Sequence, residues 1–187
     1  DVLIDNIANR KEDTKTDKNF YKIVYDGKYS DWDYYPHQLI QYSTSGGVGN
    51  DAEGALYQDG TTLYGHVLSM LHMNEKEIQP FTIRVNENDK TAINFRLVAV
   101  DKDGNIDKDC KLDHLDAGTY EYYLWDLNSG STATNINDKD APVYGKMYLT
   151  VNQTAEGKSV SDEMEHQVDL EKLADHFGMD ASDMKLI

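Results

Sequence analysis

The chain has 187 residues, of which 39% are hydrophobic, and this is enough for one domain whose core needs no disulfide or metal. Its 34 acidic and 18 basic residues give a formal net charge of −16, which repels phosphate backbones and anionic headgroups and argues against a nucleic-acid partner. The single cysteine, Cys110, excludes an internal disulfide.

Residues 1–19 are mostly polar and charged, which predicts a flexible N-terminal segment before a single domain over residues 20–187. No stretch resembles a signal peptide, and none approaches the roughly 20 apolar residues of a membrane span. We therefore expect no membrane insertion by this chain, and if the protein is exported or anchored we expect both signals to lie outside it.

The first half of the domain predicts strands separated by turns. Residues 20–25 read as a strand that ends at an Asp26-Gly27 turn, residues 37–43 as a second strand, and residues 45–50 as a loop. An Asp59-Gly60 pair between two further strand-like runs predicts a hairpin, because these residues tolerate the positive φ angles of a tight turn.

The second half shows the alternation of apolar and polar residues that is typical of half-buried strands. A polar loop at residues 101–109 divides the series. The predicted strands are residues 81–85, 93–99, 119–125, 143–151 and 163–168.

One segment near the C-terminal end predicts a helix. Asp169 is a suitable N-cap and Gly178 a suitable left-handed C-cap. Between them an apolar stripe recurs at helical spacing, formed by Leu170, Leu173, Ala174 and Phe177. About eight short strands and one late helix predict a mostly all-β fold: an antiparallel, jelly-roll-like β-sandwich with one short C-terminal α-helix.

Three motifs, in this order, resemble those of sandwich domains similar to family 9 carbohydrate-binding modules. Residues 23–37 (IVYDGKYSDWDYYPH) resemble the "I-D-G-x-x-x-D-W-x-x-x-P" opening, and residues 59–64 (DGTTLY) the "D-G-x-x-L-Y" hairpin. Residues 164–173 resemble the "E-x-x-I-P-L-x-x-L" strand-to-helix element, with Asp169 where proline is common. The resemblance covers roughly residues 20–187.

Related look-alikes are exported Gram-positive proteins whose C-terminal anchor is processed by an exosortase-like enzyme. Residues 179–187 (MDASDMKLI) are similar to their "Asp-Pro-Ser-Asp-Ile" ending, with alanine in place of proline. The resemblance implies an extracellular location at the cell surface or wall, and a glycan as the partner. A shared fold does not by itself transfer a ligand.

An aromatic cluster in the first motif is a candidate ligand site. A sugar ring can stack on an aromatic plane while carboxylates accept hydrogen bonds from its hydroxyls. The alternative is that the tryptophan packs structurally at one end of the core. The candidate ligand-binding residues are Trp32, Tyr34, Tyr35, Asp31 and Asp33, with His37 beside them.

The loop at residues 101–109 is a candidate calcium site, because carboxylates and an amide alternate along it. It departs from an EF-hand loop, since Gly104 is at position four and Leu112 replaces the bidentate glutamate. The alternative is a polar turn around Asp103-Gly104. The candidate metal ligands are Asp101, Asp103, Asn105, Asp107 and Asp109.

Other catalytic or cofactor signatures are weak. His66 and His72 could share one strand face, with His37 beside them, but no zinc-binding spacing supports them, and we predict scattered surface histidines. No phosphate loop, nucleophile elbow or distinct carboxylate pair stands out. We therefore predict a non-enzymatic, carbohydrate-binding-like domain. The alternatives are a structural or protein-interaction domain of a wall-anchored protein, and an unrecognised glycoside hydrolase.

Overall fold

The computed structural model describes residues 22–44, 47–69, 81–86, 92–112, 114–153 and 159–185. The predicted flexible segment, residues 1–19, lies outside these ranges. Nine strands are present in them: β1 (Gln38–Thr44), β2 (Gly47–Asp59), β3 (Thr62–Ser69), β4 (Phe81–Arg84), β5 (Ala92–Val100), β6 (Ile106–Asp107), β7 (Gly118–Asp126), β8 (Val143–Gln153) and β9 (Ser159–Asp169).

All strand pairs are antiparallel, and the strands form one sheet in the order β1-β2-β3-β9-β8-β7-β5-β4, with β6 paired to β5. The last strand, β9, therefore lies in the middle, between β3 and β8. A single apolar cluster contains residues from distant strands of this order, which shows that the sheet curls around its core. Examples are Leu63 of β3, Ile83 of β4, Phe95 of β5, Met147 of β8 and Val168 of β9.

The helix α1 (Leu170–Phe177) closes one side of this core, to which it contributes Leu170 and Leu173. The Asp169 carboxylate accepts the amide hydrogens of Glu171 and Lys172, at 3.0 and 3.1 Å. Gly178 ends the helix with φ 65°. The predicted mostly all-β fold with one short C-terminal helix is confirmed, as are both helix caps. Within the described ranges, no helix is long and apolar enough to cross a membrane.

In the first half of the domain, two local predictions differ from the structure. Residues 22–25, predicted as part of a strand, have no strand pairing, although Ile23 is buried. Residues 47–50, predicted as a loop, begin β2 and pair with β1. The Asp59-Gly60 hairpin is confirmed, with Asp59 paired to Thr62 and Gly60 at φ 58°.

Candidate functional site

The N-terminal residues 22–37, here called the docked segment, cover the sheet face opposite the core. Side chains alternate along β9, so Met164 and Val168 enter the core while Glu163, Glu165 and Gln167 point to the other face. The segment reaches that face through aromatic side chains. The Tyr25 ring stacks on Tyr148 at 4.6 Å between centroids, and the Tyr29 hydroxyl lies 2.8 Å from the Thr150 hydroxyl oxygen.

A buried carboxylate anchors the segment. Glu165 is fully buried, and its Oε1 accepts the indole N–H of Trp32 at 2.9 Å. Its Oε2 accepts the backbone N–H groups of Gly27 and Asp26, at 3.2 and 3.3 Å. Burial raises the pKa of Glu165, and the hydrogen bond from Trp32 opposes that rise. Three donors from one segment thus converge on one carboxylate of β9.

The predicted ligand-binding residues divide between the interior and the surface. Trp32 has 0% of its surface exposed and stacks on His66 at 5.4 Å, so no face of its ring is open to a sugar in this conformation. Tyr35 is half-buried against Trp32. Asp31 accepts the backbone N–H of Val24 at 2.8 Å.

Tyr34 and Asp33 are exposed in the short 3-10 helix Trp32–Tyr34. The structure therefore brings Trp32 and Tyr35 together inside the aromatic packing and leaves these two neighbours on the surface. The alternative of a structurally packed tryptophan agrees with this placement, while ligand binding by the set stays a prediction.

The histidines of this region form a hydrogen-bonded chain. His37 Nε2 lies 2.7 Å from His66 Nδ1, and His66 Nε2 lies 2.7 Å from Glu163 Oε1. At the other end, His37 Nδ1 lies 2.9 Å from the carbonyl oxygen of Tyr35. The prediction of scattered surface histidines is therefore wrong for His66, which is only 5% exposed. His72 lies outside the described residues.

The candidate calcium loop is a hydrogen-bonded turn. Asp101 Oδ1 accepts the backbone N–H groups of Asp103 and Asn105, at 2.8 and 2.9 Å, and Oδ2 accepts the Asn105 side-chain amide. These bonds lower the pKa of Asp101. Gly104 has φ 84°, so the predicted turn is present.

The metal-ligand prediction covered Asp107 and Asp109 as well. The carboxylate of Asp107 accepts the backbone N–H of Asp109 at 3.0 Å. Among the residues that the structure describes, no group of three or more His, Cys, Asp or Glu side chains could hold a metal ion, so the loop's carboxylates do not converge. Calcium binding by this loop stays a prediction, and it would require a different arrangement of these side chains.

Five half-buried side chains form a line across the outer face of the sheet, and we call this line the platform row. The register pairs each member with the next on the neighbouring strand, and at a spacing of about 4.8 Å per strand the row spans roughly 19 Å. From β2 to β7 its members are Tyr57, Tyr64, Gln167, Lys146 and Tyr123.

Aromatic rings lie at both ends of the platform row and polar groups in its middle. Tyr57 and Tyr64 stack at 6.3 Å with 27° between their planes. The Lys146 ammonium lies 5.5 Å from the centroid of the Tyr123 ring and 3.8 Å from a Glu121 carboxylate oxygen. The adjacent row on the same face contains Tyr148, Glu165 and His66, and the docked segment contacts all three.

A groove of about 350 Å³ lies at the Tyr123 end of the platform row. It is lined by Tyr123, Lys146 and Gln167 together with residues of the β2–β3 turn and the start of α1. Sequence reasoning missed these residues, because each comes from a different strand and only the sheet order places them together. The excess of tyrosine, 13 residues against four phenylalanines, was the available signal.

Comparisons of the chain with models of protein families, with curated proteins and with solved structures give no match.

Proposed function

We propose that this chain is a non-enzymatic, extracellular binding domain that holds an extended glycan along the platform row. The observation that carries the proposal is the row itself, in which Tyr57, Tyr64 and Tyr123 flank an amide and an ammonium group on one sheet face. The motifs that resemble carbohydrate-binding modules support the same class of ligand.

The chemistry of the row fits a sugar chain. Tyrosine combines an apolar ring, against which the C–H face of a sugar packs, with a hydroxyl that remains in water. The Gln167 amide both donates and accepts, and the Lys146 ammonium donates, so hydroxyl groups of a sugar find both kinds of partner. The groove at the Tyr123 end falls within the usual 300–1,000 Å³ of small-ligand sites, and it would hold one end of the chain.

The residues of the row also favour binding over hydrolysis. Glycoside hydrolases use a pair of carboxylic acids beside the scissile bond. None of the five side chains in the platform row is a carboxylic acid. The buried carboxylate of the adjacent row, Glu165, is engaged by three N–H groups of the docked segment.

The test compares glycan binding by the wild-type chain with binding by two matched variants. The folded chain is screened against soluble plant and wall polysaccharides, and the dissociation constant of any ligand found is measured by calorimetry. Tyr123→Ala is expected to weaken binding about tenfold, equivalent to ~1.4 kcal/mol. Tyr34→Ala, which removes an exposed ring outside the row, is the control and is expected to leave the dissociation constant unchanged.

Two results would contradict the proposal. One is the absence of binding to any polysaccharide in the panel by protein whose fold is verified by circular dichroism. The other is binding that Tyr123→Ala and Gln167→Ala both leave intact.

A protein-interaction domain is the second candidate, and exposed apolar side chains favour it. Leu39 of β1 is 62% exposed and Leu56 of β2 is 41% exposed. The strand β1 is at one edge of the sheet, where a further strand or a partner could pack. A negative glycan panel, together with a wall-protein ligand whose binding is lost in Leu39→Ser, would select this function instead.

A further inference from the structure

Three hydrogen bonds need a fixed number of hydrogens on the ring nitrogens, and they join Tyr35, His37, His66 and Glu163. The carbonyl oxygen of Tyr35 can only accept, so His37 Nδ1 must carry a hydrogen. An ionised Glu163 can only accept, so His66 Nε2 must also carry one. The 2.7 Å contact between His37 Nε2 and His66 Nδ1 needs a third hydrogen.

Two neutral imidazoles carry only two ring hydrogens, whereas the chain of bonds needs three. One imidazole must then be an imidazolium, with its charge facing Glu163. If Glu163 were protonated instead, it would donate to His66, only two of the four ring nitrogens would carry hydrogens, and the histidine pair would hold no additional proton. Without the additional proton, two nitrogen lone pairs would face each other at 2.7 Å or an outer bond would be lost.

The surroundings favour a positive charge at this place. From β9, the Glu163 carboxylate bonds to His66, and Glu165, whose pKa is raised by burial, is the partner of His66 in the strand register. From the docked segment, the Trp32 ring stacks on the His66 ring at 5.4 Å between centroids, and the tilted Tyr29 ring lies at 5.5 Å. On the opposite face of β9, burial and the charge of His66 lower the pKa of His166 to about 4, so that ring adds no competing charge at neutral pH.

We propose that His37 and His66 share one additional proton, and that this proton fastens the docked segment to the sheet so that docking weakens as the pH rises. His37 belongs to the segment and His66 to β3, so the shared proton joins the two parts directly. The inference does not depend on glycan binding.

The direction of the pH effect follows from proton linkage. In the pH range where a released histidine pair is neutral, the docked form binds one more proton than the released form. Raising the pH then favours release, and the docking equilibrium constant falls by up to about tenfold per pH unit. The effect ends at the pH where the docked pair has also lost its proton.

The experiment follows hydrogen exchange at the Trp32 indole N–H, which is bonded to Glu165 only when the segment is docked. Its hydrogen-exchange protection factor, normalised to a free indole at each pH, is measured by NMR in the wild-type chain, in His37→Gln and in His114→Asn. Glutamine offers a donor and an acceptor that do not titrate. His114 is an exposed histidine at φ 49°, which asparagine tolerates, so the second variant is the matched control.

We expect the wild-type chain and His114→Asn to lose protection with rising pH, and His37→Gln to show a shallower loss over the same range, limited to the part that the raised pKa of Glu165 causes. Nitrogen chemical shifts of the two rings in the wild-type chain give an independent measurement. Three of their four ring nitrogens are expected to be protonated in the docked form. Two protonated nitrogens with full Trp32 protection, or an unchanged pH slope in His37→Gln, would overturn the proposal. Neither readout uses a glycan, so the two proposals fail independently.

Discussion

The carboxylate of Glu165 and the indole of Trp32 are both fully buried, and they meet in a 2.9 Å hydrogen bond across 133 positions of sequence. This bond ties the docked segment to the central strand of the sheet. A buried polar contact of this kind costs little while it is complete and much when one partner is removed. The stability of the docked segment should therefore be sensitive to either residue.

Replacing Trp32 by phenylalanine keeps an aromatic ring but removes the indole N–H, and Glu165 loses one of its three N–H partners. We expect a loss of about 1–3 kcal/mol in the free energy of unfolding, measured by urea denaturation. Tyr34→Ala is the matched control, because this neighbouring aromatic side chain is exposed, and it should change stability by less than about 0.5 kcal/mol. Equal effects of the two substitutions would argue against a structural role for the indole N–H.

The raised pKa of Glu165 predicts how stability depends on pH. Between the ordinary glutamate pKa of about 4.3 and its raised native pKa, this carboxyl is protonated in the native state and ionised in the unfolded chain. Stability contributed by this group is therefore highest at acid pH and falls as the pH rises through the raised native pKa. Glu165→Gln should remove this part of the pH profile, which denaturation series from pH 4 to pH 8 would measure. An unchanged pH profile of stability in Glu165→Gln would contradict this prediction.

The pKa shift of His166 affects stability in the opposite direction. Its native pKa of about 4 lies below its usual value of about 6.5, so the unfolded chain binds the proton more readily. The stability that it contributes is fully present above about pH 6.5 and is lost as the pH falls towards 4. The loss is up to about 3 kcal/mol. His166→Gln should flatten this acid limb in the same denaturation series, and an acid limb that persists would exclude His166 as its source.

The close contact between Gly65 and His166 predicts a steric effect. A Cβ atom at Gly65 would lie 2.1 Å from the imidazole Cε1 of His166, its partner across β3 and β9. Gly65→Ala should therefore destabilise the fold by about 1–3 kcal/mol in thermal or chemical unfolding. At Gly130, nothing lies within 4 Å of the added atom, so Gly130→Ala is expected to be near neutral. A tolerated Gly65→Ala would show that the imidazole can move aside.

Features that depend on neighbouring residues could be predicted from the sequence. The helix follows from Asp169, Gly178 and an apolar stripe, and the β2–β3 hairpin from Asp59-Gly60, because caps and tight turns are local interactions. Residues 22–25 look like a strand by composition, yet they form no strand pairing, and Ile23 and Tyr25 pack their side chains on a sheet face. Composition alone cannot distinguish these two outcomes.

The candidate site was harder to predict, because its residues come from distant parts of the chain. The platform row takes one residue from each of five strands, and the His37–His66–Glu163 chain joins three separate segments. Both depend on the position of β9 in the sheet, which no local pattern indicates. The sequence allowed two interpretations of Trp32, a ligand-binding ring or a structurally packed one. Its burial depends on a hydrogen bond to Glu165, which lies far along the chain.

The central position of β9 has a consequence for how the polypeptide folds. Among the strands that the structure describes, β1–β3 and β4–β8 are joined in the sheet only through β9, which pairs with β3 on one side and β8 on the other. Two partial sheets made earlier on the ribosome would therefore expose unpaired edges until the last strand emerges and inserts between them. Pairing β3 with β9 closes a loop of about 100 residues, and such non-local closure makes folding slow. A nascent chain of this protein would depend on rapid completion, or on a chaperone, to avoid joining its open edges to those of another copy.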